Sequence, residues 1–192
     1  MEALDALINR VSVARLGEPA PTPAQRELLF RAALRAPDHG QLRPWRFLTV
    51  EGAAREQLGE LLARAQLARE PQVPAAMLDK ARGMPLRAPL LVVVIACLKD
   101  HPKVPEVEQL LAAGCAAHGL LLAAHAQGIG AIWRTGELSH DQTVQAGLGL
   151  AQNERIVGFL YLGTPQGELR KPQALEPADF VAGWPSDLGA GR

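Results

Sequence analysis

Three short stretches of the sequence combine arginine with other polar side chains at points where a regular element is expected to end. They are "NRVSVAR" (residues 9–15), "RAPDHGQLRPWRF" (35–47) and "WRTG" (133–136). A planar guanidinium group suits phosphate, and the free backbone N–H groups at the ends of elements complete such a site. The stretches are therefore candidates for binding an anionic ligand, although their spacing does not show that they converge. Taken singly, each arginine is more simply a solvated charge or a member of an ion pair.

Other kinds of site find less support in the sequence. It contains no Gly-x-Gly-x-x-Gly loop, no phosphate-binding P-loop and no Gly-x-Ser-x-Gly nucleophile turn. Cys115, His118 and His125 recur at helical spacing near one face, which raises the question of a metal site. A single helix supplies too few of the four ligands that structural zinc needs, so we favour core packing and predict no metal.

Length and composition predict one globular domain. The chain has 192 residues, of which 48% are hydrophobic and 21% charged, and its net charge is zero. Such a balance gives no sign of a nucleic-acid partner or of an anionic membrane surface. We predict a single domain over residues 1–184 and a frayed tail over residues 185–192.

The compartment is predicted from three features. Two cysteines without framework spacing indicate buried thiols in a reducing compartment. The first ten residues, "MEALDALINR", lack the basic region of a signal peptide. The apolar stretch at residues 110–126 is shorter than the roughly 20 residues of a membrane span and contains two histidines. We therefore predict a cytoplasmic protein with no membrane contact.

Hydrophobic periodicity predicts helices interleaved with about four strands, which is an α+β layered domain. The predicted helices cover residues 2–10, 22–35, 53–68, 75–82 and 104–127, with another from Ser139 to Leu148. The predicted strands cover residues 46–51, 89–98, 129–134 and 155–163. The long helix is apolar nearly all round from Leu110 onward, so we expect it in the middle of the molecule. The order of the strands stays open.

Four stretches taken together resemble the nitroreductase family of flavoenzymes, in particular its small bacterial branch. They are "LINRVSVARL", "APDHGQLRPWRF", "GIGAIWRTG" and "IVGFLYLGTP", in the same order and with similar spacing. The resemblance implies an α/β/α layered domain with a central, mostly antiparallel sheet, a long buried helix and an intertwined homodimer. FMN would bind between the subunits. Electrons would pass from NADH or NADPH, through hydride at flavin N5, to nitro-aromatic, quinone-like or related small-molecule electrophiles.

The resemblance also implies which residues bind the cofactors, and no protein acid or base is implied as catalytic. The FMN ligands would be Arg10, Val11, Ser12, Arg35, His39, Trp133, Arg134 and Thr135, with Arg35 and His39 reaching the flavin of the partner subunit. The nucleotide segment would be Ala123, Ala124, His125, Ala126, Gln127 and Gly128. That second assignment has little physical support, because the C-terminus of a helix repels phosphate.

One departure from the family pattern bears on function. The second arginine of the Arg-Arg-Ser motif is Val11 in this chain, so either FMN binds more weakly or Arg15 substitutes. His39 is a possible proton donor, but a hydrogen bond to the edge of the ring is the simpler role. The alternative function is a flavin or small-ligand binding protein without turnover, acting as a carrier or a sensor.

Overall fold

The structure, a computed structural model, describes residues 1–184, and the predicted frayed tail at residues 185–192 lies outside the described residues. Six helices form within the described part: α1 (Ala3–Asn9), α2 (Pro23–Ala33), α3 (Ala54–Arg69), α4 (Ala75–Gly83), α5 (Glu106–Ala126) and α6 (Gln142–Gly147). Five strands accompany them: β1 (Leu16–Gly17), β2 (Trp45–Glu51), β3 (Leu90–Cys97), β4 (Gly130–Arg134) and β5 (Glu154–Pro165). Short 3-10 turns cover His39–Gln41, Pro85–Arg87, Glu137–His140 and Pro177–Asp179.

The five strands form one antiparallel sheet, which confirms the predicted architecture. β2 pairs with β3, β3 pairs with β5, and β5 pairs with both β4 and β1. β1 was not predicted, because only Leu16 and Gly17 pair, opposite Pro165 and Thr164. A strand of two residues is too short to show alternation in a sequence.

The two faces of β3 separate two cores. Leu91, Val93 and Ile95 pack with α3, α4 and α6 on one face of the sheet. Leu90, Val92 and Val94 pack with α2 and α5 on the other face. Side chains alternate along a strand, so a continuous apolar run can face two helical layers at once. The predicted α/β/α layering and the buried central strand are therefore confirmed.

The helix ends show where local sequence signals were right and where they were wrong. Thr22 accepts a hydrogen bond from Gln25 N, and Gln25 Oε1 accepts one from Thr22 N, so the predicted start of α2 is confirmed. The predicted helix from Ser139 is wrong in its cap: the chain makes a 3-10 turn there, and α6 starts after Asp141. Asp141 Oδ1 accepts from the backbone N–H groups of Thr143 and Val144 at 2.8 and 3.2 Å. Ser139 is instead buried within the turn.

Helix α5 covers the sheet with one side only. Its sheet-facing residues are buried, among them Ala113, Ala117, Leu120 and Ala124, while Leu111 on the opposite side is 64% exposed. Within residues 1–184, α5 is the one helix long and apolar enough to span a bilayer, with a mean hydropathy of 1.4 over its most apolar window. The same composition occurs in the core helices of globular proteins.

An arginine on β2 and a glutamate on β5 form an ion pair across β3 at one end of the sheet. Arg46 on β2 donates from Nε and Nη2 to both oxygens of Glu154, at 2.6 and 2.7 Å, and Glu154 begins β5. The N–H of Ala151 and the thiol of Cys97 also donate to this carboxylate. Hydrogen bonding to Arg46 lowers the pKa of Glu154 to about 2. Burial, with the nearby Glu154, raises the pKa of Cys97 to about 11, so this thiol stays protonated.

Candidate functional site

A cavity of about 490 Å³ opens at the end of β4, on the α3 side of the sheet. Trp133, Arg134 and Thr135, three of the predicted FMN ligands, line it together with Gly136. Its apolar walls come from α3 and β5, through residues such as Leu62 and Phe159. An apolar cavity with a few polar groups at one end is typical of a site for a small organic ligand.

Arg134 carries the buried side-chain nitrogen of this cavity that lacks a partner among residues 1–184. Its Nε is buried and has no hydrogen-bond partner among residues 1–184, and its guanidinium carbon lies 5.6 Å from the centre of the Tyr161 ring. Burial raises the pKa of Tyr161, although the positive charges of Arg134 and Arg87 act in the opposite direction. A buried N–H donor without an acceptor costs about 1–3 kcal/mol, so the side chain is suited to an acceptor on a ligand.

Sequence reasoning missed several polar residues of this cavity, among them Gln66, Arg69 and Arg87. Gln66 and Arg69 come from the last turns of α3, and Arg87 comes from the turn that follows α4. Arg69 Nη2 donates to Glu137 at 2.6 Å, so this arginine is already paired. No motif in the sequence marks these positions, because only the packing of α3 against the end of β4 brings them to the cavity.

The Trp133 side chain points to the opposite face of the sheet from Arg134. Its indole packs with the core under α5, near Gly114. At Gly158 on β5, an added Cβ would lie 2.0 Å from the indole Nε1, so this position has room only for glycine. The ring of Trp133 therefore packs in the core, while the residue also belongs to the lining of the cavity beside Arg134. Its assignment as an FMN ligand stays a prediction. Trp45 also packs against this core.

A second, smaller cavity of about 140 Å³ lies at the start of β4. Arg10 and Val11 line it, together with His125 and Gly128 from the end of α5. Ser12, the third residue of the predicted motif, is exposed and not part of this lining.

The segment after Arg10 runs beside β4, because Val13 N donates to Ala131 O at 2.9 Å. The structure thus brings two of the three predicted clusters to a single strand, with Arg10 near its start and Arg134 at its end. A strand of five residues spans about 13 Å between its first and last residues.

The third cluster, around His39, lies apart from β4, at the N-terminal end of α5. His39 Nδ1 is 2.6 Å from Glu108 Oε2, so the loop meets the first turn of α5, and Arg35 is exposed. Glu108 and His125 are 17 residues apart on the same helix, which corresponds to about 25 Å. Within one chain, the His39 loop and the Arg10 cavity therefore lie at opposite ends of α5.

The His39 loop has an unusual backbone. Gly40, Gln41 and Arg43 adopt positive φ angles of 72°, 53° and 48°. The Asp38 carboxylate accepts from the backbone N–H groups of Leu42 and Arg43, so it stabilises the turn. Lys99 Nζ also donates to the Leu42 carbonyl. Non-glycine residues in this region are strained, and such strain is concentrated at binding sites.

The predicted nucleotide segment forms the last turn of α5. Gly128 has a φ of 72° and ends the helix, as its type indicated. Ile129 N and Gly128 N donate to the carbonyls of Ala124 and His125, at 2.9 and 3.0 Å. The described contacts of this turn thus include no free backbone donors arranged for phosphate, and the nucleotide assignment stays a prediction.

Cys115, His118 and His125, whose spacing raised the question of a metal site, do not lie together in the structure. Cys115 and His118 lie on the exposed side of α5, so the prediction that they pack in the core is wrong, because this side of the helix does not face the sheet. His125 lines the cavity beside Arg10. Among residues 1–184, no three side chains of the metal-binding types lie close enough to hold an ion.

Comparison with known proteins agrees with this geometry. The Nitroreductase family profile matches residues 8–164. The Escherichia coli protein named "Putative NAD(P)H nitroreductase YdjA" is 46% identical over 166 residues, which cover 86% of this chain and 90% of the relative. A nitroreductase-like family protein from Bacillus cereus has a TM-score of 0.79 at 21% identity, with 95% of each chain covered.

A solved nitroreductase with bound FMN, from Bacteroides fragilis, has a TM-score of 0.72 at 23% identity and covers 95% of this chain and 98% of its own. The two solved structures share the fold with this chain. The extent of the profile match and the identity to the Escherichia coli relative go further: the chain belongs to the nitroreductase family, a family of oxidoreductases.

Proposed function

We propose that residues 1–184 form an FMN-dependent oxidoreductase that passes electrons from NADH or NADPH to a small-molecule acceptor. Nitro-aromatic and quinone-like electrophiles are the acceptors we propose. The observation that carries the proposal is the buried, unpartnered Nε of Arg134 in the cavity of about 490 Å³. The names of the relatives, which include an NAD(P)H nitroreductase and a nitroreductase with bound FMN, support the same chemistry.

The residues present fit FMN. An elongated ligand with an apolar ring system and an anionic end needs apolar walls, a cation at the ring and a cation at the phosphate. Leu62 and Phe159 provide such walls, and Arg134 provides a positive charge beside them. Arg10 provides a second cation about the length of β4 away. FMN, when bound, supplies hydride transfer, which no side chain of the protein can supply.

The chain's own residues would bind and orient the cofactor. Arg134 would donate from its free Nε to an acceptor atom of the ring system, and its charge would favour the anionic form of the ring. Arg10 would bind the phosphate. The apolar walls would exclude water, which strengthens both interactions.

We also propose a homodimer in which each FMN site is shared. Arg10 and His39 lie at opposite ends of α5, so one chain alone does not bring both to one flavin. Large apolar side chains are exposed on α1, on the outer side of α5 and along the C-terminal arm, including Leu4, Ile8, Leu111, Phe180 and Trp184. Exposed apolar side chains in such number are typical of an interface, and here a dimer would let His39 of each chain contact the flavin of the other.

The first experiment tests cofactor and turnover together. The purified protein is titrated with FMN, and its visible spectrum is recorded anaerobically before and after NADH or NADPH is added. We expect a bound flavin spectrum that bleaches with at least one nicotinamide and recovers when a nitro-aromatic or a quinone is added. A protein that does not bind FMN would contradict the proposal.

The second candidate function, a flavin-binding carrier or sensor without turnover, has one observation in its favour. Val11 lines the Arg10 cavity where the family motif has a second arginine, which removes a positive charge. Bound FMN that neither NADH nor NADPH bleaches would establish this function instead.

The second experiment tests the shared site through Leu111→Glu. A charge on the exposed side of α5 is expected to convert the dimer to a monomer in light scattering and to weaken FMN binding at the same time. Leu67→Glu is the matched control, because Leu67 is an exposed leucine on α3. A wild-type protein that is monomeric with FMN bound would contradict the shared site.

We also propose a cytoplasmic location, with no nucleic-acid or membrane partner.

A further inference from the structure

The ring of His125 has no explained function in the fold. It lies in the last turn of α5, and its Nε2 is buried without a hydrogen-bond partner among residues 1–184. Apart from Arg134 Nε, no other buried side-chain nitrogen or oxygen of the described residues is left in this state. Buried polar atoms are normally paired, so an unpaired one points to a missing acceptor or donor.

The missing partner would lie in the cavity of about 140 Å³ at the start of β4. His125 lines this cavity with Arg10 and Val11, and the rest of its lining is largely apolar, through Leu121, Ile129 and Leu169. The groups of the lining that can carry charge are Arg10, His125 and the amino group at Met1. No carboxylate belongs to the lining, so the cavity suits an anion and offers nothing to neutralise one apart from these groups.

Val11, which lines this cavity, stands where the family motif has a second arginine. We propose that His125, in its protonated form, replaces that arginine as a ligand of the phosphate bound beside Arg10, so that affinity for FMN rises as the pH falls. The inference rests on the proposed FMN function and deepens it. A hydrogen bond to phosphate from a charged N–H donor is shorter and stronger than one from a neutral donor, and burial removes competing water.

The direction of the pH effect follows from linkage. Phosphate binds the cationic ring more tightly than the neutral ring, so bound FMN favours protonation of His125. Histidine is the side chain that ordinarily changes charge between pH 5 and 8. FMN phosphate takes up its own second proton near pH 6, which works against binding in the same range. The informative quantity is therefore the ratio of the dissociation constants of a variant and the wild type at each pH.

The experiment measures FMN affinity of the full-length protein by quenching of flavin fluorescence from pH 6 to pH 8.5. His125→Gln keeps a polar side chain but cannot become a cation. We expect it to bind FMN on the order of 10-fold more weakly than the wild type at pH 6, and about equally at pH 8.5. His118→Gln is the matched control, because His118 lies on the same helix but on its exposed side, and its ratio should stay near one throughout.

Two further measurements identify the contact as one with the phosphate. Val11→Arg in the His125→Gln background should restore FMN affinity and remove the pH dependence of the ratio. For riboflavin, which lacks the phosphate, the ratio of the dissociation constants of His125→Gln and the wild type should be the same at every pH. If His125→Gln does not fold, Val11→Arg in the wild-type background gives the same test, because it should flatten the pH dependence of FMN affinity.

The outcomes separate this inference from the proposed function. A ratio for FMN that does not change with pH, or the same change with riboflavin, would overturn the role of His125 while leaving FMN binding intact. Wild-type protein that binds FMN at no pH would instead contradict the proposed function itself.

Discussion

Arg46 and Arg134 both lie on strands of one sheet, yet their surroundings are opposite. Arg46 donates two hydrogen bonds to Glu154 and a third to the carbonyl of Gly149. Arg134 has a buried Nε without a partner in the described part of the chain, residues 1–184, and packs over the ring of Tyr161. The difference teaches that the partners of an arginine, rather than its burial, separate a residue that stabilises the fold from one that awaits a ligand.

The largest expected effect comes from breaking the Arg46 pair. Glu154→Gln keeps the size of the side chain but removes its charge, which leaves the Arg46 guanidinium unpaired in a site where the Glu154 side chain is only 11% exposed. We expect the free energy of unfolding to fall by about 2–3 kcal/mol, measured by urea denaturation. A loss below about 0.5 kcal/mol would show that the pair contributes little to the fold.

Substitution of Arg134 should affect ligand binding and leave stability nearly unchanged, in contrast to the loss of the Arg46 pair. Arg134→Gln should weaken FMN binding on the order of 10-fold, because it removes a charged donor to the ligand. The unfolding free energy of the protein without FMN should change by less than about 0.5 kcal/mol, because the loss of the contact with the Tyr161 ring and the removal of an unpaired buried donor act in opposite directions. A large loss of stability with unchanged FMN affinity would make Arg134 a second structural arginine and end the contrast.

Acid should act on the Arg46 pair through Glu154. The pKa of this carboxyl is lowered to about 2 by its hydrogen bond to Arg46, so the stability it contributes is complete above the ordinary carboxyl pKa and is lost as the pH falls toward 2. Between pH 5 and pH 3, we expect the wild type to lose about 1 kcal/mol more stability than Glu154→Gln. Equal acid profiles in urea denaturation would show that Glu154 does not carry this dependence.

The smallest effect is expected at the Arg26–Glu51 ion pair, which has similar hydrogen bonds but is more exposed to solvent. Arg26 Nη1 and Nη2 each donate to Glu51 at 2.8 Å, and the Glu51 side chain is 48% exposed. Glu51→Gln should cost at most about 0.5 kcal/mol, because water competes for both charges. It is also the matched control for Glu154→Gln, and a cost as large as that of Glu154→Gln would mean that exposure does not set the difference.

Much of the fold could be predicted because its signals are local. The apolar run of β3, the cap at Thr22 and the glycine after α5 each act over a few residues, and the structure confirms them. The errors arose where a local signal competed with another one or was too short. Asp141 caps α6 in place of Ser139, and β1 has only two residues.

The candidate site could be predicted in part. The order of four motifs led to Arg10 and to residues 133–135, which the structure places along β4. The same motifs did not show that the ring of Trp133 faces away from Arg134, nor that Arg87 lines the cavity. Strand alternation and the packing of α3 decide these two points, and neither is written in a motif.

The sequence by itself determined the family, the layered α+β fold and the positions of its arginines. Only the tertiary structure decided which of those arginines has a partner. The hydrogen bonds of Arg46 depend on a residue 108 positions away, and Arg134 is left without one because its neighbours on α3 and β5 are mainly apolar. Long-range packing sets these contacts, so an identical side chain stabilises the sheet at one strand and is available to a ligand at another.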